Sequence, residues 1–338
     1  MKDKKKRLEA DEATINLIKA TASSDPVVRQ QAQWEFAKAI ETPLREAVLY
    51  GDVLNGIYDV TKWPDNIQVE FPLGLIAPGE EDEFVAFTSP GVGYIPERRV
   101  NGNYVTIPTY NIANSIDWEL RFAKTGVYNI VAKAMEILAA GFVKKINDDG
   151  MHTLIAAGVD RNILVYDADA TAGVFTKRLI SLMKTVMLRN GGGNSSSLNK
   201  GRLTDVFTSP EAIEDVRNWD IAQVDELTRR EIYLATDDSE RLTRIFGVNL
   251  HPLHELGVGA SYQLYFTNQM GGSLASSDEE LVIGVDLSNR DSFIMPVTSE
   301  VEIFADTDMH RRQEEGYYGW MGCGFGVLDN RRVILGSF

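Results

Sequence analysis

At 338 residues, with 44% apolar and 25% charged side chains, the chain has the composition of an ordinary globular protein and is long enough for one large domain or two to three modest ones at about 150 residues each. Thirty-four basic residues against forty-nine acidic ones leave a net charge of −15. This excludes a broad phosphate-gripping surface, because duplex binding rests on many Lys and Arg contacts. The single cysteine, Cys323, excludes a disulfide scaffold and a multi-thiolate zinc site and fits a reducing compartment.

The start, Lys2-Asp3-Lys4-Lys5-Lys6-Arg7, is a basic run read as a solvated tail rather than as a nucleic-acid or membrane contact. The residues after it lack the apolar core of a signal peptide, and nowhere do about 18 apolar residues run uninterrupted, so neither export nor membrane spanning is expected. Leu8, Ile15 and Ile18 predict a first helix, and Ser24-Asp25-Pro26 marks the start of a second: a capping side chain, then Pro where its missing N–H costs nothing. Val27, Gln31, Trp34, Ala37, Lys38 and Ile40 carry a ragged helical period until Pro43 interrupts it. Two short helices cannot bury Trp34, Phe36 and Ile40 between themselves, so they form an arm that docks on the body or on another subunit.

From Ile67 to about Ala113 the period changes to two. Ile67, Val69 and Phe71 alternate with Gln68 and Glu70; an acidic turn follows at Glu80-Glu81-Asp82-Glu83; Phe84-Val85-Ala86-Phe87 ends at Ser89-Pro90-Gly91; and Asn101-Gly102 between β formers signals a hairpin. A two-stranded excursion of this kind is marginal in water and needs a neighbour to lie on. Next, Val131, Ala134, Met135, Leu138, Phe142 and Ile146 recur at three and four residues, predicting a helix over roughly 116–149; about thirty residues of it would be about 45 Å long at 1.5 Å per residue. That length suits a structural spine.

After Gly158 the pattern alternates. Asn162–Tyr166 reads as a strand, Phe175–Arg189 as a helix, Gly191–Ser197 as a connector, and Leu203–Thr208 as a buried strand stopped by Ser209-Pro210-Glu211, again a cap followed by Pro. An α+β domain spans 159–298. The tail, with Phe293–Val297, Val301–Phe304, Gly324–Asp329 and Arg331–Leu335, is rich in strand signals.

Chemistry-bearing patterns are few. His251-Pro252-Leu253-His254-Glu255 contains zinc-type ligands, but Pro252 and the spacing depart from the helical H-E-x-x-H arrangement, and a loop with two ordinary histidines is the plainer reading. Asp167-Ala-Asp169-Ala-Thr171-Ala-Gly173 opens like a calcium loop, yet its glycine comes one place late and Arg178 stands where a bidentate Glu belongs. Gly191-Gly192-Gly193 followed by Lys200-Gly201 reverses the order of a phosphate loop, and Gly322-Cys-Gly-Phe-Gly326 is no dinucleotide fingerprint. Cys323 would need one of His152, His251, His254 or His310 beside it to act as a nucleophile, and its setting reads as strand core. No catalytic, cofactor or metal site emerges, and the chain reads as a non-enzyme.

The order of helical arm, β-excursion, spine helix, α+β insert and closing strands resembles the HK97-fold major capsid protein of tailed double-stranded DNA bacteriophages. The residues that carry the likeness are Ile107-Pro-Thr-Tyr-Asn-Ile-Ala113 leading into Asp117-Trp118-Glu119, the spine ending Phe142-Val-Lys-Lys-Ile-Asn-Asp-Asp149, Ser209-Pro-Glu-Ala212 after a strand, Val282-Ile-Gly-Val-Asp286 and Phe293-Ile-Met-Pro296. The ending, Gly324-Phe-Gly-Val-Leu-Asp-Asn-Arg-Arg-Val-Ile334, is the most telling piece.

The resemblance implies an arm at 1–66, an extended E-loop at 67–115, a P-domain made of 116–158 plus 299–338, and an A-domain at 159–298. It further implies self-assembly into hexamers and pentamers that close an icosahedral head around double-stranded DNA without sequence-specific binding, with scaffolding, portal and decoration proteins as further partners. The expected locations are the virion and, during assembly, the host cytoplasm. Some relatives weld subunits through an E-loop lysine; residues 67–115 contain no lysine, so no such covalent mesh is expected. The short N-terminal region also leaves little room for a cleaved scaffolding segment. The alternatives are an encapsulin-like compartment of the same fold and, from another class, a metal-dependent hydrolase using His251, His254 and Glu255.

Overall fold

In a computed structural model, the Ser24-Asp25-Pro26 punctuation separates two helices, α1 (Glu12–Thr21) and α2 (Pro26–Leu49). Asp25 Oδ1 accepts from Val27 N at 3.0 Å, satisfying one of the free N–H groups of the first turn. Helix α2 runs through Pro43 instead of stopping there. Proline forfeits one backbone bond, but Ile40 and Leu44, on either side of it, are both buried, and that burial holds the flanking turns in line.

The described residues are 12–49, 56–64, 67–72, 104–125, 128–190, 201–219, 245–288, 290–306 and 312–338. The basic run Lys2–Arg7, the acidic turn at Glu80–Glu83, the Asn101-Gly102 turn, the Gly191–Ser197 connector and His310 lie outside them. The remaining elements are β1 (Asp59–Lys62), β2 (Val69–Pro72), β3 (Tyr104–Ile107), β4 (Tyr110–Glu119), α3 (Leu120–Thr125), α4 (Tyr128–Asp160), β5 (Leu164–Tyr166), α5 (Lys177–Asn190), β6 (Asp205–Thr208), α6 (Pro210–Asn218) and β7 (Asn249–Pro252). There follow α7 (Ser261–Leu264), continued by a wider π-helical turn at Tyr265–Gln269, then β8 (Leu281–Val285), β9 (Phe293–Asp306), β10 (Glu314–Cys323), β11 (Gly326–Val327) and β12 (Val333–Ser337).

The spine helix begins twelve residues later than its sequence period suggested and ends eleven later, at Tyr128–Asp160 rather than 116–149. Residues 110–119 are a strand because Ile112, Asn114, Ile116 and Trp118 alternate with outward residues and pair antiparallel with β10, from Tyr110 opposite Cys323 to Glu119 opposite Glu314. Gly150 does not end the helix: Met151, Leu154 and Ile155 beyond it are fully buried, and each such side chain favours continuation by roughly 1.5–3 kcal/mol against about 1 kcal/mol lost at a helical glycine.

Two compact units divide the chain. The first holds Met1–Val69, Ile107–Gly150 and Met295–Phe325; the second holds Glu70–Thr106, Met151–Ile294 and Gly326–Phe338. In the first, strands lie in the order β1-β9-β10-β4. The Phe36 ring of α2 meets Tyr317 edge-on at 5.3 Å, Trp118 stacks on the same tyrosine at 5.4 Å, and Asn114 Nδ2 donates to Leu138 O of α4 at 3.1 Å. One face of the sheet is therefore covered by both helices. Gly319 on this face of β10 has no room for a side chain beside the neighbouring strand: a Cβ there would lie 2.8 Å from Glu302 O of β9.

The second unit is built on a sheet in the order β5-β12-β8-β6-β7, with β12–β5 and β6–β7 parallel and the other pairs antiparallel. Strands β6, β8 and β12 are buried along their whole length, as continuous apolar runs require. Leu179, Met183 and Met187 of α5 and Ala212, Ile213 and Val216 of α6 join Val206, Val282 and Ile334 in one core. Ser209 caps α6 as its sequence signature dictates, accepting from Ala212 N at 3.2 Å, with Pro210 next in line. Strands β2 and β3 form a separate two-stranded pair, and residues 73–103 between them lie outside the described residues.

Candidate functional site

His251 lies on β7 rather than in a loop, because Asn249–Pro252 pairs parallel with β6. Its Nε2 is 2.8 Å from Asp205 Oδ1, which also accepts from Asn249 Nδ2 at 2.9 Å, and its ring stacks on Phe207 at 5.1 Å. Burial pushes the Asp205 carboxyl up, but the hydrogen bonds from His251, Asn249 and Thr204 outweigh it and hold the group below its ordinary range. His254 and Glu255 follow outside the strand. The structure thus pairs His251 with a carboxylate on the neighbouring strand, and among the described residues no group of three His, Cys, Asp or Glu side chains converges to hold a metal ion. Asp205 was missed in the sequence; a charged residue opening the buried run Asp205-Val-Phe-Thr208 was its only signal.

Cys323 ends β10 fully buried, and burial pushes its thiol up to about 12, the reverse of an activated nucleophile. Ser209 donates to the buried carboxyl of Glu280 while capping α6, so its hydroxyl is committed on both sides. In the Asp167–Gly173 loop, Arg178 pairs with Asp169 and lies 3.4 Å from Asp167, and Thr176 Oγ1 donates to Asp167 at 2.8 Å. A guanidinium faces the carboxylates that a calcium ion would have needed. Among the described residues, Asp205, Ser209, Asp167 and Asp169 are each bonded to neighbouring groups of the fold.

What the described residues do offer is apolar surface aimed outward. Trp34 on α2 is 62% exposed with Lys38 Nζ 4.7 Å over its ring, Tyr104 at the start of β3 is 67% exposed, and Ile137 on α4 is 54% exposed. On the uncovered face of the first sheet, Phe304 of β9 meets Trp320 of β10 at 4.7 Å and Tyr318 at 5.9 Å. Exposed Trp and Tyr of this kind are the usual anchors of protein–protein contacts. No helix among the described residues is long and apolar enough to cross a membrane.

Known structures give the arrangement its context. A structure of the capsid of Myoviridae phage XM1 superposes on 84% of this chain and 90% of its own with a TM-score of 0.52 at 13% identity. The cyanophage Pam1 capsid superposes on 83% and 88% with a TM-score of 0.52 at 11% identity. The head structure of Helicobacter pylori bacteriophage KHP40 does so on 82% and 86% with a TM-score of 0.50 at 9% identity. No family model and no curated protein sequence matches the chain. The chain has the HK97-like fold of tailed-phage major capsid proteins, an α+β architecture shared over most of the length of both partners in each comparison.

Proposed function

We propose that this chain is the major capsid protein of a tailed double-stranded DNA bacteriophage, a structural subunit that assembles into hexamers and pentamers and closes an icosahedral head. The observation that carries the reading is the extent of the capsid likeness: it takes in 84% of this chain and 90% of the XM1 capsid chain, so no large part of either lacks a counterpart. The first compact unit serves as the peripheral domain, the second as the axial domain, and the ribbon rooted in β2–β3 as the extended loop that lies on an adjacent subunit. The surface chemistry agrees. A shell subunit needs several modest interfaces repeated by symmetry rather than one very tight one, and exposed Trp34, Tyr104 and Ile137 lie on three separate elements. The net charge of −15 suits a wall that repels packaged phosphates and lets the genome move during filling and ejection. A portal at one vertex, with scaffolding and decoration proteins, would complete the particle.

Negative-stain electron microscopy of the purified protein after sedimentation tests this directly. Rings, sheets or closed shells are expected, and their yield rises when a scaffolding protein is co-expressed. A uniform 37.6 kDa monomer that stays monomeric with scaffold present overturns the reading.

A further inference from the structure

Glu315 lies on the face of the first sheet that the N-terminal helices cover. Strand alternation puts it on the side of Tyr317, whose ring meets Phe36 of α2, and opposite Trp118 of β4, which stacks on the same tyrosine. The residue is buried, and α1 and α2 bury Ile18, Phe36, Ile40 and Leu44 in the same unit. Its Oε1 accepts from Tyr317 Oη at 3.0 Å. Oε2 has no hydrogen-bond partner, and neither has Trp118 Nε1 across the strand pair or Gln33 Oε1 on α2, all of them buried. A buried carboxylate oxygen without a donor is unfavourable, and a proton on that oxygen removes the penalty.

An acceptor for such a proton stands on α1. Thr21 is buried beside the carboxyl. Its own hydroxyl proton goes to Ile18 O at 2.7 Å, so toward Glu315 it presents lone pairs. Against a carboxylate these repel; against a carboxylic acid they accept a hydrogen bond that runs from β10 to α1. No cation offers an alternative. Tyr317 is the titratable group that faces the carboxyl, and burial keeps its phenol protonated. Asp117 and Glu119 on β4, Glu314 on β10 and Asp306 on β9 belong to the other face of the sheet. Lys19 on α1, Glu35 and Lys38 on α2, and Arg121 and Lys124 on α3 are exposed, Arg29 and Glu41 on α2 are half-buried, and none of these charges acts on Glu315.

We propose that α1 and α2 form a proton-gated clamp: they stay docked on the sheet while Glu315 is protonated and lift from it together when Glu315 ionises. Water reaches the charge by this route because β10 is paired on both sides, with β4 and β9, whereas α2 meets it through side chains such as Phe36. Burial holds the carboxyl above its ordinary range, so the docked state extends from acid toward neutral pH. The ratio of open to docked rises about tenfold for each unit by which docking raises that pKa. The device lies within the first unit and would operate in a lone subunit, so it stands or falls separately from the capsid reading.

Hydrogen exchange of the full-length protein between about pH 5 and pH 8, with each peptide corrected for its intrinsic rate, tests it. Peptides from α1 and α2 are expected to lose protection about tenfold across that range, while β10 and the second unit's β8 and β12 keep theirs. In Glu315→Gln, whose amide donates to Thr21 at every pH, the two helices stay protected throughout. Thr21→Val removes the acceptor and lowers protection at the acid end toward the wild-type value at the neutral end; melting curves at the acid end confirm that both variants fold. Protection of α1 and α2 that does not change with pH in the wild type overturns the proposal, whatever the variants do. So does loss of protection in α1, α2 and β10 together, which would make Glu315 a determinant of global stability alone, and so does a pH response of the helices that survives Glu315→Gln.

Discussion

Tyr317 Oη donates a 3.0 Å hydrogen bond to Glu315 Oε1, two residues back on the same strand, on the face of the sheet that α2 covers. Glu315 is only 2% exposed. Burial pushes its carboxyl up, and the hydrogen bond from Tyr317 pulls it down without offsetting that. Its Oε1 is held by a neutral phenol of its own strand, while the buried Oε2 has no hydrogen-bond partner.

The sign of the pH effect follows. A carboxyl whose folded pKa is raised binds its proton more tightly when folded, so its contribution is fully present below the ordinary value of 4.5 and is lost as pH rises through the raised folded value. The melting temperature of the protein is expected to fall between mildly acidic and neutral pH. In Glu315→Gln, which keeps the shape and removes the charge, the fall is shallower and the neutral-pH melting temperature is higher. Scanning fluorimetry across that range checks this, and parallel curves for the two proteins would refute it.

Asp205 behaves in the opposite sense. Its folded pKa is lowered, so the stability it supplies is present above the ordinary value of 3.8 and is lost as pH falls through the lowered one. Asn249→Ala removes a 2.9 Å donor and should cost about 1 kcal/mol at neutral pH, with acid unfolding starting at higher pH. Acid titration followed by circular dichroism gives both readouts.

Gly158 lets α4 lie against β12. A Cβ on it would fall 2.5 Å from Leu335 Cγ and 2.9 Å from both methyls of that side chain. Gly158→Ala gains about 1 kcal/mol of helix propensity and loses about 1–3 kcal/mol to overpacking, so a net destabilisation of roughly 1 kcal/mol is expected. Leu335→Val should relieve part of it, giving a non-additive double-mutant cycle in urea denaturation. Additive costs would mean the helix simply shifts away.

Particles assembled as proposed, boiled in detergent, should run as one 37.6 kDa band, because residues 67–115 offer no lysine for an isopeptide bond. A ladder of covalent multimers on the gel would contradict this.

Local chemistry was legible in the sequence where the deciding interactions are short-range. Ser209-Pro210 and Asp25-Pro26 start helices as their side chains dictate, since a cap acts within one turn. Strands whose partners are remote were harder. Residues 110–119 alternate visibly, but the helical period that follows masked them until pairing with β10, some two hundred residues away, showed which pattern held. Strand β10, Glu314–Cys323, was read as strand only in the setting of Cys323, because three glycines dilute its β signal; at Gly319 a Cβ would crowd Glu302 O of β9 at 2.8 Å. His251 was seen as loop for the same reason, its parallel pairing with β6 being invisible locally. The open aromatic face went unrecognised with β10, since Tyr318 and Trp320 acquire a side only once that strand exists.

In the second unit β12 sits between β5 and β8, yet it follows β5 by roughly half the chain. A ribosome must therefore synthesise everything from α5 to β11 before the sheet can receive an inner strand, and until then β5 and β8 have an unfilled gap between them. Such high contact order makes folding slow and leaves apolar edges exposed during synthesis. The demand on chaperones falls on this unit, and substitutions in Val333–Ser337 would lower the yield of folded protein before they alter anything the finished chain does.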